Sequence, residues 1–188
     1  KNKFLIIKYE YKSNKKTHVN LTNHSYWNLE KIKKNMIYNH ELRLNSNKYL
    51  QIDKDLIPTG KTKRVKNSIY DFLKFQNLGK KLNFFKNKKI DLKHKGFDTT
   101  YIVKKNSRNF VGSLKNKNSN IQVNFFSNLP GVQLYSAQNL NYKKKLFPYH
   151  GICLETQYFP DTPNKKNFPS TLIKANKRYT CFTKIKIY

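Results

Sequence analysis

Acid and base groups set apart from lysine are rare in this chain, and they mark where chemistry is possible. Its 188 residues carry 39 Lys and Arg against 10 Asp and Glu, a formal net charge of +29. Glu155 is one of those few carboxylates, and it lies among apolar neighbours in His150–Asp161, HGICLETQYFPD. Read as a strand, Ile152, Leu154, Thr156 and Tyr158 face one way, and Cys153, Glu155, Gln157 and Phe159 face the other. A carboxylate held in an apolar strand with an amide beside it is a candidate general base of raised pKa. Neutralisation by one of the many lysines is the structural alternative. His24, in THVNLTNHSYWNL, sits among Asn, Thr, Ser and Tyr that can fix its tautomer. That setting suits a general acid, or a structural histidine. Asp98, in GFDTTYIV, is the second carboxylate away from lysine, just ahead of an apolar strand. In PGVQLYS, Gln133 and Tyr135 share a strand face.

The elements that must position these residues are mostly strands. KFLIIKYEY at 3–11 and RYTCFTKIKIY at the end read as strands, the latter with clear period-2 alternation. THVNLTNHSYWNL also alternates, which places His24 on the polar face of a strand. His40–Tyr49 reads as a further strand, followed by a turn at Pro58-Thr59-Gly60. Helix is expected only as a single turn at Asp71–Lys74, with Lys86–Lys95 a basic loop containing His94. Asn106–Asn120 reads as a hairpin with Gly112 at a bulge, and two strands flank Pro130-Gly131. Asn141–Lys145 is expected as a basic turn, and Pro163–Pro169 as a loop. About ten short strands at intervals of roughly 10–15 residues indicate one antiparallel all-β sandwich.

Composition narrows the partners. Only Arg43, Arg64, Arg108 and Arg178 are arginine, whereas a selected nucleic-acid grip favours bidentate Arg. The lysine and asparagine excess reads as drift in an A/T-rich genome, with the positive charge spread over the surface. Non-specific, salt-sensitive adhesion to polyanions is still expected, but no specific nucleic acid. Cys153 and Cys181 make neither a disulfide framework nor a metal-ligand spacing, and both read as reduced core residues. No apolar run reaches the ~18 residues of a membrane span.

Several blocks taken together resemble the aldose 1-epimerase (galactose mutarotase) family. They are VNLTNHSYWNL, YLQIDKDLIPTG, GFDTTY, PGVQLYS and HGICLETQYFPDTPNKKNFP, in the family's order and at its spacing from residue 19 to the C-terminus. The resemblance implies a galactose mutarotase-like supersandwich and a single domain over 1–188, the C-terminal portion of a longer family domain. It implies His24 as general acid, Glu155 as general base, and Asp98 and Gln133 as contacts to sugar hydroxyls. The implied reaction interconverts the α and β anomers of galactose or glucose, with acid and base on opposite sides of the ring. Neither metal nor organic cofactor is implied, and the setting is cytoplasmic.

The chain also departs from the family pattern. Its members run to about twice this length, and their first half supplies an Asn-Arg pair and a second His without counterpart here. Thr99 and Thr100 stand where a His-Asn pair usually follows the GFD block, and Trp27 replaces a usual Phe. A piece of a sandwich is expected to leave edges and apolar faces for a missing half or a self-association partner to cover. Three other readings stay open: a mutarotase-like sugar-binding protein without turnover, a hexose-6-phosphate 1-epimerase, and a basic nucleic-acid-binding protein.

Overall fold

A computed structural model describes residues 3–32, 35–86, 94–143 and 145–188. Two six-stranded antiparallel sheets face each other across one core. The first runs β1 (Lys3–Tyr11), β14 (Tyr179–Ile187), β10 (Ile121–Ser127), β9 (Phe110–Asn116), β4 (His40–Leu44), β7 (Gln76–Asn77). The second runs β3 (Tyr26–Trp27), β12 (Ile152–Gln157), β11 (Gly131–Tyr135), β8 (Asp98–Ile102), β5 (Lys48–Ile52), β6 (Pro58–Arg64). Two short strands, β2 (Thr17–His18) and β13 (Leu172–Ile173), pair beside them. The expected antiparallel all-β sandwich is therefore the architecture.

Alternation builds the core. Inward residues of the first sheet (Leu42, Leu44, Leu114, Val123, Phe125, Ile185) meet those of the second (Tyr101, Val132, Leu134, Ile152, Leu154). The Trp27 indole meets the Phe125 ring edge-on at 5.5 Å, and the Thr156 and Thr183 hydroxyls bond across the gap. Every residue of β12 is buried. Ile152 and Leu154 face the core, while Cys153, Glu155 and Gln157 point the other way, where Glu155 and Gln157 line a cleft. At the rim of the first sheet, β1 pairs only with β14 among the described residues, and Phe4, Leu5 and Ile6 are exposed.

Local expectations differ from the structure at several points. Residues 19–25 are not strand. The Asn20 and Thr22 side chains bond the backbone of Tyr158 and Thr156, so side chains supply what ladder bonds would. His24 consequently sits in an irregular segment leading into β3. The hairpin after β5 turns earlier than expected, because Asp53 Oδ1 accepts from the backbone N–H groups of Asp55 and Ile57. Pro58-Thr59-Gly60 then opens the edge strand β6.

Helix also forms later and longer than expected: Asp71–Lys74 is not helical, and α1 spans Leu78–Lys86. Asn77 Oδ1 caps it at Lys80 N, and Leu78, Leu82 and Phe85 bury one face. Residues 87–93 of the expected basic loop lie outside the described residues. The hairpin near Asn106–Asn120 is β9–β10, and its bulge falls opposite Phe125/Phe126, beside Gly112.

Candidate active site

Three strands of the second sheet form the floor. In the antiparallel register Glu155 pairs with Gln133, and Gln133 pairs with Thr100. One row over, Cys153 pairs with Tyr135, and Tyr135 with Asp98. Period-2 alternation therefore places Asp98, Gln133 and Glu155 on one surface. Gln133 Nε2 donates to Asp98 Oδ1 at 2.6 Å, and the Thr100 hydroxyl donates to Gln133 Oε1. The cleft above holds about 430 Å³ and is lined by His24, Tyr26, Asp98, Gln133, Tyr135, Glu155, Gln157 and Pro160. All four sequence-predicted residues meet there.

His24 forms the wall. Its Nε2 lies 3.4 Å from Glu155 Oε1, and its Nδ1 lies 3.5 Å from Cys153 Sγ. Its ring stacks on Tyr26 at 5.0 Å between centroids and meets Tyr135 edge-on at 6.2 Å. Half of the His24 side chain remains exposed, while Glu155 is only 8 % exposed. The acid candidate therefore opens to solvent, and the base candidate is held in the buried strand. The pair touches directly in this structure; the resemblance implies opposite sides of the ring.

The environment sets the charges. Burial raises the Glu155 pKa above its usual range, the nearby His24 charge pulls it down, and Asp98 pushes it up further. Asp98 is raised as well, first by burial, against the lowering hydrogen bond from Gln133 and the charge of His24. Burial pushes the Cys153 thiol far up, reinforced by Glu155 and Asp98, so it is no thiolate nucleophile.

Tyr26, Tyr135, Gln157 and Cys153 were not among the sequence-predicted site residues. The shared face of Cys153, Glu155 and Gln157, and of Gln133 and Tyr135, was the available signal; Tyr26 enters only through β3 pairing with β12. The cysteines carry no metal-ligand spacing along the chain, yet ligand atoms of His24, Cys153 and Glu155 lie within 4.8 Å of one another. Two other histidines serve elsewhere. His18 bonds Thr171, and the buried His40 bridges Leu29 and Ile37.

The sequence profile of the Aldose 1-epimerase family matches residues 1–186. The chain belongs to that family. It is 34% identical over 182 residues to the galactose mutarotase of Pongo abelii, covering 93% of this chain and 51% of the relative. It is 31% identical to the aldose 1-epimerase of Haemophilus influenzae, covering 96% and 54%. Among solved structures, an aldose epimerase homologue from C. elegans superposes with TM-score 0.84 at 21% identity, covering 98% of this chain and 56% of that one. The chain thus spans about half the length of the aldose 1-epimerases it matches.

Proposed function

We propose that this chain carries the acid–base half of an aldose 1-epimerase site acting on a neutral hexose such as galactose or glucose. The observation that carries the reading is the His24–Glu155 contact at the wall of an open cleft floored by Asp98 and Gln133. The anomeric hydroxyl oxygen and the ring oxygen are both bonded to C1, so an acid and a base that touch each other match two adjacent atoms. Ionised Glu155 removes the proton of the anomeric hydroxyl. Protonated His24 delivers one to the ring oxygen as the C1–O5 bond breaks. The open-chain aldehyde rotates about C1–C2, the steps reverse, and the other anomer leaves. Each proton transfer contributes about 10²–10⁴-fold. Asp98 and Gln133 hold hydroxyl groups and fix the ring against the pair.

The described lining includes two carboxylates and no Lys or Arg, which favours a neutral sugar over a sugar phosphate. The same reading carries a cytoplasmic setting, in which Cys153 and Cys181 persist as thiols. The test is polarimetry of freshly dissolved α-D-galactose with this chain and with Glu155→Gln. The expected result is faster decay of rotation, lost in the variant. Galactose binding without acceleration would instead identify a sugar-binding protein without turnover.

A further inference from the structure

A second chemistry converges on the same corner of the cleft. A thiol, an imidazole and a carboxylate present ligand atoms within 4.8 Å of one another, on an irregular segment and one strand. His24 Nδ1 and Cys153 Sγ are 3.5 Å apart. A tetrahedral zinc ion, with bonds of about 2.1 Å to nitrogen and 2.3 Å to sulfur, spaces those ligands about 3.6 Å apart. Glu155 lies two residues along the same strand face, with a carboxylate oxygen within 4.8 Å of the other two ligand atoms. The charge of the cleft points the same way. In a chain of net charge +29, the described lining holds Asp98 and Glu155 and no Lys or Arg, so it is a place where a cation is attracted.

We propose that His24, Cys153 and Glu155 form a binding site for a thiophilic divalent cation, Zn²⁺ foremost, and that its occupancy switches the acid–base pair off. Sulfur and imidazole ligands select zinc and its soft neighbours over Mg²⁺ and Ca²⁺, which take oxygen cages. Binding converts the thiol to a metal-bound thiolate and releases its proton to solvent. With Nδ1 on the metal the ring cannot become the imidazolium that acts as acid, and the carboxylate oxygen is committed to the metal as well. A fourth position remains open to water. The inhibitory consequence rests on the proposed acid–base roles, whereas the affinity for metal does not.

The experiment is a titration of the full chain with Co²⁺ without sugar, read by absorption. The expected result is one-to-one uptake with a near-ultraviolet thiolate-to-cobalt band, displaced by Zn²⁺ and absent in Cys153→Ser. His24→Ala and Glu155→Gln keep the thiol, and each should weaken uptake by more than the roughly 10–100-fold that loss of an outer-shell partner costs. A missing band overturns the site, as does a band that survives Cys153→Ser and vanishes in Cys181→Ser. Unchanged affinity in both thiol-retaining variants overturns it even if Cys153→Ser fails to fold. In the anomer assay, Zn²⁺ should inhibit in competition with sugar; metal uptake with undiminished exchange overturns the switch. A Cys153-dependent band on an inactive chain upholds the site and counts only against the acid–base reading.

Discussion

Gln133 stands directly opposite Glu155 across the β11–β12 ladder and donates its amide to Asp98 at 2.6 Å. One side chain thus links the base candidate's strand to the second carboxylate, and the Thr100 hydroxyl on its Oε1 fixes which way the amide points. Gln133→Ala frees Asp98 to rotate. We expect KM for galactose to rise with kcat less affected, because the lost contact holds the sugar rather than moving a proton.

Removing either proton carrier should hit kcat. Glu155→Gln keeps the shape of the base without its basicity, and His24→Ala removes the acid. Each should lower the rate by roughly 10²–10⁴-fold, measured by polarimetry. The double variant should fall little further than the worse single one, because the two groups act as a unit.

The pH profile should carry the burial of Glu155. The base works only when ionised, and burial raises its pKa, so activity is lost as pH falls through a value above the usual ~4.3 of Glu. Asp98 pushes that pKa up, so Asp98→Asn should move the acid limb to lower pH. A limb that stays in place or moves up would sink this account.

Stability should respond to Glu155 in the opposite sense to activity. Its folded pKa is raised, so the folded state holds the proton more tightly than the unfolded chain. The stabilising effect of protonation is fully present below the unfolded pKa and lost as pH rises through the folded one. Glu155→Gln should therefore raise the Tm near pH 8 and leave it almost unchanged near pH 4. Thermal melts at the two pH values read the difference directly.

His40 tests a structural histidine. Its Nε2 accepts the Leu29 N–H at 2.7 Å, and its Nδ1–H donates to the Ile37 carbonyl. His40→Ala orphans a buried N–H, at about 1–3 kcal/mol. Burial lowers the His40 pKa, so the unfolded chain binds its proton first as pH falls. Stability should decline with pH below about 6.5, the ordinary value, and the variant should flatten that slope in denaturant melts between pH 7 and 5.

Gly112 lies beside the β9 bulge, where a Cβ would come within 2.6 Å of the Arg43 carbonyl oxygen and 2.8 Å of Leu44. Neither the backbone nor the packed leucine can give cheaply. Gly112→Ala should cost about 1–3 kcal/mol, seen as a lower denaturant midpoint with unchanged slope.

Much was legible in the residues alone. Alternation in RYTCFTKIKIY, with IQVNFF, GVQLY and ICLETQ read as strands, determined the faces, since a side chain two residues on must return to the same side. That alternation already put Glu155 with Gln157 and Gln133 with Tyr135. Residues 19–25 misled, because their alternation is real but side-chain bonds from Asn20 and Thr22 replace the ladder. The helix at Leu78–Lys86 had its signal in Asn77, Leu78, Leu82 and Phe85, at cap and 3.6-residue spacing, beside lysines that obscured it. Only the tertiary structure could decide that His24 touches Glu155 and Cys153, or that Tyr26 roofs Tyr135. Those contacts depend on sheet order and register, which long-range pairing sets and local pattern does not contain.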